Sequence, residues 1–95
     1  MTSEEFFARK YGEKGSPTRL EFERKAAAYH LAQKLKDERQ KLKLTQSQVA
    51  EKIHSQKQFI SRIENGDVDV QLSTFLAVLD ALGLTVTFAP KATTT

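Results

Sequence analysis

The sequence predicts an all-α domain in which one long helix precedes three short ones, followed by a short C-terminal strand. Three observations carry this. Apolar residues recur at helical spacing through most of the chain, and polar capping quartets open the short segments. Period-two alternation appears only in LTVTFAP, residues 84–90. Ninety-five residues fit one small domain with a modest buried fraction, so a second subunit is expected to add stability. The organisation is an N-terminal arm over 1–15, a helical domain over 16–83, and a strand and tail over 84–95.

In the arm, SEEFFARKYG makes one or two turns ending at Gly12, with Phe6, Phe7 and Tyr11 on overlapping faces before GEKGSP interrupts. The long helix runs from Ser16 to Lys43. Ser16 is a fitting N-cap and Pro17 suits the first helical position, where its missing N–H costs nothing. Leu20, Ala27, Leu31, Leu35 and Leu42 form its expected apolar stripe. Thr45 and Ser55 each open a quartet with the pattern of a capping box, giving helices over Gln46–Ile53 and Gln56–Glu64 with only His54 and Ser55 between them. Asn65-Gly66 supplies a left-handed stop to the second. Val49, Ala50 and Ile53 face Phe59, Ile60 and Ile63, and the small Ala50 permits a close, steep crossing. By pattern alone this is a helix-turn-helix. Asp69 then caps a helix over Val70–Leu82, with Leu72, Phe75, Val78, Leu79 and Leu82 toward the core and Gly83 at its end. In the strand, Leu84, Val86 and Phe88 alternate with threonines, and a strand without a partner in its own chain is expected to pair across a homodimer.

Charge and composition narrow the function. Fifteen Lys and Arg against twelve Asp and Glu give net +3, which permits nucleic-acid binding without requiring it. Without cysteine there is no disulfide, thiolate metal site or cysteine nucleophile. The N-terminus lacks the apolar core of a secretory signal, and FLAVLDALGL is too short to span a bilayer, so the expectation is a cytoplasmic protein with no membrane association. His30 and His54 lie far apart, and no phosphate loop, zinc motif or nucleophile motif is present. The chain therefore reads as a non-enzyme with no catalytic residue, metal or cofactor.

LTQSQVAEKI, FISRIENG and LSTFLAVLDALGL together resemble the Cro/C1-type, or XRE, family of DNA-binding proteins over about residues 28–83. The arm EEFFARKYGEKGSPTR, feeding directly into an extended first helix, resembles HigA-type antitoxins within that family. The first resemblance implies a lambda-repressor-like bundle whose second motif helix enters the major groove of operator DNA. It places Gln56, Lys57 and Gln58 at base edges, with Ser61 and Arg62 one turn on, and their donors suit purine edges. Gln58 has a competing use in a capping box with Ser55. Gln46 takes the phosphate-contacting position, and Asn65 a loop position that meets the backbone or serves only as the left-handed cap. Arg39 and Glu64 stand where the family pairs an arginine and a glutamate structurally. At two positions where the family often has glycine this chain has Lys43 and His54, which implies strained positive φ or an altered turn.

The second resemblance implies a partner, an mRNA-cleaving toxin of the HigB/RelE type, with Phe6, Phe7 and Tyr11 as candidate contacts. The competing use of those aromatics is to fold back on the chain's own first helix or dimer surface. Leu84, Val86 and Phe88 are the candidate dimer contacts. Stand-alone repressors and restriction-modification controllers share the same motif. A protein-interaction adaptor is the reading without DNA, and it leaves the Gln- and Lys-bearing helix unexplained.

Overall fold

The computed structural model describes residues 2–67 and 69–91. Five helices follow in order: α1 (Ser3–Tyr11), α2 (Pro17–Lys41), α3 (Gln46–Lys52), α4 (Lys57–Glu64) and α5 (Leu72–Ala81). The Thr2 hydroxyl caps α1 by accepting from the Glu5 N–H at 3.1 Å, and Gly12 ends it at φ 97°. Ser16 does the same for α2, accepting from the Arg19 N–H at 3.1 Å, with Pro17 in the first turn. At 25 residues α2 is about 37 Å long, which sets the 48 Å long axis of the molecule.

The core is built by α3, α4, α5 and only the C-terminal half of α2. Leu35, Val49, Ala50, Ile60, Ile63, Val78, Leu79 and Leu82 form one buried cluster, and Leu44, Ile53, Phe59, Val70, Phe75 and Leu84 pack against it. The apolar stripe expected along α2 needs correction, because Leu20, Leu31 and Leu42 are 40, 48 and 50% exposed. The face that α2 buries in the core is Ala32, Leu35 and Arg39, one position round from Leu31, and upstream of Tyr29, which lies against Gly66, the helix extends beyond the buried cluster. There its cover is α1. Tyr11 stacks on Phe22 at 3.9 Å between ring centroids, and Phe7 lies 6.1 Å from the same ring. Arg19, buried, pairs with Glu4 and Glu23 at 3.2 Å each and lies over the Phe7 ring. The arm is thus a docked helix, and Phe7 and Tyr11 take the fold-back alternative.

Four helices end on the same device. In the Schellman motif two N–H groups reach back across the last turn while one residue takes a left-handed conformation. The bonds are Lys43 N–H to Gln40 O and Leu44 N–H to Arg39 O after α2, with matching pairs at His54/Ser55, Gly66/Asp67 and Gly83/Leu84. The four left-handed residues are Lys43 (φ 59°), His54 (φ 56°), Gly66 (φ 70°) and Gly83 (φ 69°). The two departures from glycine therefore carry positive φ. Gly66 also lies against α2, where a Cβ would come into contact with Tyr29 at 3.4 Å from its Cα.

Two other expectations change. Helix α5 starts at Leu72 after Gln71 rather than at Val70 after Asp69, and Leu72 is 74% exposed rather than in the core. Val70 reaches the core from outside the helix instead. No strand is present among the described residues, and residues 84–91 have no regular structure. A strand requires a ladder partner, and a single chain offers this segment none. Leu84 belongs to the core, where it closes the Schellman motif, while Val86 and Phe88 are exposed. Residues 92–95 of the expected tail lie outside the described residues. No described helix is long and apolar enough to cross a membrane.

Candidate nucleic-acid interface

Helix α3 opens on a complete capping box. The Thr45 hydroxyl accepts from the Gln48 N–H at 3.1 Å, and the Gln48 carbonyl accepts from the Thr45 N–H at 2.7 Å. The second expected box, Ser55 with Gln58, does not form. Ser55 donates its N–H to Ala50 O at 2.8 Å as the last bond of the α3 exit, so that N–H is not available to the Gln58 side chain for the reciprocal bond of a box. Gln56 takes the cap position with no side-chain bond, and α4 begins at Lys57. The Gln58 side chain is thereby left uncommitted and exposed.

The amphipathy of α4 decides which residues remain available. Ile60 and Ile63 are buried and Phe59 packs on the core, which turns Lys57, Gln58 and Arg62 outward. Gln56 and Asn65 are exposed at the two ends and Ser61 is half-buried. Asn65 stays right-handed at φ −91°, so the left-handed cap assigned to it falls to Gly66 alone. The outward first turn carries amide and ammonium donors with no partner among the described residues. That donor set matches purine edges in a major groove.

A buried polar network sets the position of this helix. Arg39 and Glu64, 8 and 5% exposed, form a two-pronged pair with Nε to Oε2 at 2.7 Å and Nη2 to Oε1 at 3.0 Å. The remaining Arg39 nitrogen donates to Leu44 O at 2.7 Å, tying the turn before α3 into the same cluster. Gln46, half-buried at the first position of α3, donates its Nε2 to Glu64 Oε1 at 3.0 Å. Gln33 reaches from α2 to the Glu64 backbone oxygen at 3.4 Å. Sequence reasoning missed Gln33 and the Gln46–Glu64 bond. Gln33 sits among charged residues on a long helix, and nothing local distinguishes it.

The other candidate residues lie apart from this surface. Phe7 and Tyr11 pack on Phe22 at the far end of α2, leaving Phe6, edge-on to Phe7, half in solvent. Among the described residues no three His, Cys, Asp or Glu side chains gather as a metal site would need.

In comparison with known proteins, a family model described as helix-turn-helix matches residues 35–88. The match begins at Leu35, the first α2 residue of the buried cluster, and leaves α1 and residues 17–34 of α2 outside it. No curated protein and no solved structure matches the chain.

Proposed function

We propose, from the premise that this chain belongs to the helix-turn-helix family, that it is a sequence-specific DNA-binding regulator of the Cro/C1 type that reads its operator with the first turn of α4. The observation that carries the reading is the uncommitted donor set on a rigidly held helix. Gln56, Lys57, Gln58 and Arg62 face solvent, while the Arg39–Glu64 pair and the Ile60–Ile63 face fix the helix behind them. If Lys57 and Arg62 meet base edges, Lys57→Ala or Arg62→Ala costs about 1–3 kcal/mol on the cognate operator and much less on random duplex. Anisotropy titrations at two salt concentrations give the ratio, and equal losses on both duplexes would sink the assignment of α4 as the reading helix. The regulator acts as a homodimer, with Val86 and Phe88 as exposed apolar contacts and recognition helices about one DNA turn, ~34 Å, apart. A monomer in sedimentation at micromolar concentration contradicts this.

Within that reading, the chain is an antitoxin of the HigA type that neutralises a HigB/RelE-type ribonuclease and represses the operon they share. Support comes from α1 and the N-terminal part of α2 beneath it, which lie outside the buried cluster and present Phe6 to solvent. Deleting residues 2–14 abolishes neutralisation and spares operator affinity if this is right. A stand-alone regulator is favoured instead by the internal use of Phe7 and Tyr11. An adjacent reading frame without a small basic ribonuclease-like product would select that alternative.

A further inference from the structure

A carboxylate oxygen accepts hydrogen bonds and donates none. Where a glutamine amide lies against one, its –NH2 must face inward, because the opposite flip would set two acceptors together. Gln46 is in that position, with Nε2 3.0 Å from Glu64 Oε1. Glu64 has the capacity to hold it. Each of its oxygens accepts one bond from Arg39 and keeps a second lone pair, and the one on Oε1 accepts from Gln46. The Gln46 carbonyl oxygen and its second N–H are what remain for an outside partner.

We infer that Glu64 is a positioning residue for DNA binding, acting through Gln46 at the start of α3: it holds that amide in one orientation with one N–H left for a phosphate oxygen. The inference rests on the DNA-binding reading above, and it gives the buried carboxylate a task beyond its ion pair. A glutamine free in solvent loses rotamer freedom when it contacts the backbone of a duplex. One already anchored inside the protein has lost that freedom on folding, so the contact forms with less entropic penalty. A phosphate contact carries no sequence information, so its loss weakens every duplex by the same factor.

The variant Arg39→Met/Glu64→Leu separates positioning from structure, since replacing a buried ion pair by apolar side chains of similar size can preserve a fold. The probes are a duplex selected from a randomised pool by the native protein and a shuffled version of it. Gln46→Ala should cost on the order of tenfold or more on both duplexes in the native background, the worth of one hydrogen bond to a charged phosphate oxygen. The paired variant should melt cooperatively, lose the same factor on both duplexes, and show no further loss when Gln46→Ala is added. Native-like binding by the paired variant overturns the inference, as does a Gln46→Ala penalty that persists in it. A loss confined to the selected duplex also overturns it, because that pattern means a displaced α4. Should the paired variant not fold, side-chain amide relaxation in the native protein decides: Gln46 rigid before DNA is added supports positioning, and mobility equal to that of the exposed Gln58 ends it. Failure of the native protein to retain any duplex is a different outcome, and it removes the DNA-binding reading itself.

Discussion

From Ala32 to Lys41, α2 lies in the domain core with Ala32, Leu35 and Arg39 buried, whereas from Pro17 to Leu31 its one buried residue is Arg19, and α1 covers it at Arg19 and Phe22. Both halves are helical, but different interactions hold them. The C-terminal half shares a continuous apolar cluster with three other helices and anchors the network on Glu64. The N-terminal half depends on three aromatic rings and one arginine whose carboxylate partners are mostly in water. Stability in such a chain is not uniform, and the element with fewer buried contacts opens at lower free energy. The difference teaches that one helix can serve two modules. The family match, starting at Leu35, falls close to the same division.

The largest expected effect tests whether the two arginines differ as their surroundings do. Arg39→Met alone strands the Glu64 carboxylate in the core, and urea melts should lose about 3–5 kcal/mol. Arg19→Met should cost less than about 1 kcal/mol, because Glu4 and Glu23 remain solvated at 58 and 47% side-chain exposure. Equal losses would break the distinction between the halves.

A smaller effect follows from removing α1. Deleting residues 2–14 takes away the Tyr11 and Phe7 contacts with Phe22, worth about 0.5–1.5 kcal/mol per aromatic pair beyond the area buried. Amide exchange over residues 20–30 should accelerate about tenfold while residues 32–41 keep their protection. Loss of protection along the whole helix would mean that α1 supports the core after all.

Much of this was legible in the sequence, for reasons that can be stated residue by residue. Ser16, Pro17 and Thr45 mark helix starts because caps act within one turn, and the same locality makes Gly12 and Gly83 readable as stops. Ser55 has the hydroxyl and spacing of a capping box, but the N–H that the Gln58 side chain would have to accept is claimed by Ala50 O, a bond that depends on how α3 ends, and α4 starts one residue later after Gln56. Leu20, Leu31 and Leu72 were placed in a core that the chain does not extend to them; periodicity gives a face, not what covers it. The bond from Gln46 to Glu64 joins residues eighteen apart and leaves no local trace. The strand failed for a related reason, since its partner would have to be another chain.

The smallest effect sharpens the same comparison at the turns. Around α1 the positive-φ residues are Gly12 and Gly15, whereas the two non-glycine residues with positive φ among those described, Lys43 and His54, both adjoin the core. A left-handed residue with a Cβ costs roughly 1–2 kcal/mol, a strain that persists only where the surroundings over-determine the backbone. Here they do, because Leu44 beyond Lys43 packs on the core and the Arg39 guanidinium holds its carbonyl. Lys43→Gly and His54→Gly relieve that strain, but glycine adds about 0.5–1 kcal/mol of unfolded-state entropy, so each should stabilise by a net of about 0.5–1 kcal/mol. The mirror substitution is Gly83→Ala, where an added Cβ meets nothing within 4 Å and φ alone decides; it should destabilise by roughly 1 kcal/mol. Thermal melts of the three variants check both signs. Were Lys43→Gly to lower the melting temperature, the side chain of Lys43 would be contributing more to the folded domain than its backbone strain costs, and the turn before α3 would belong with the tightly held region by its contacts as well as its position.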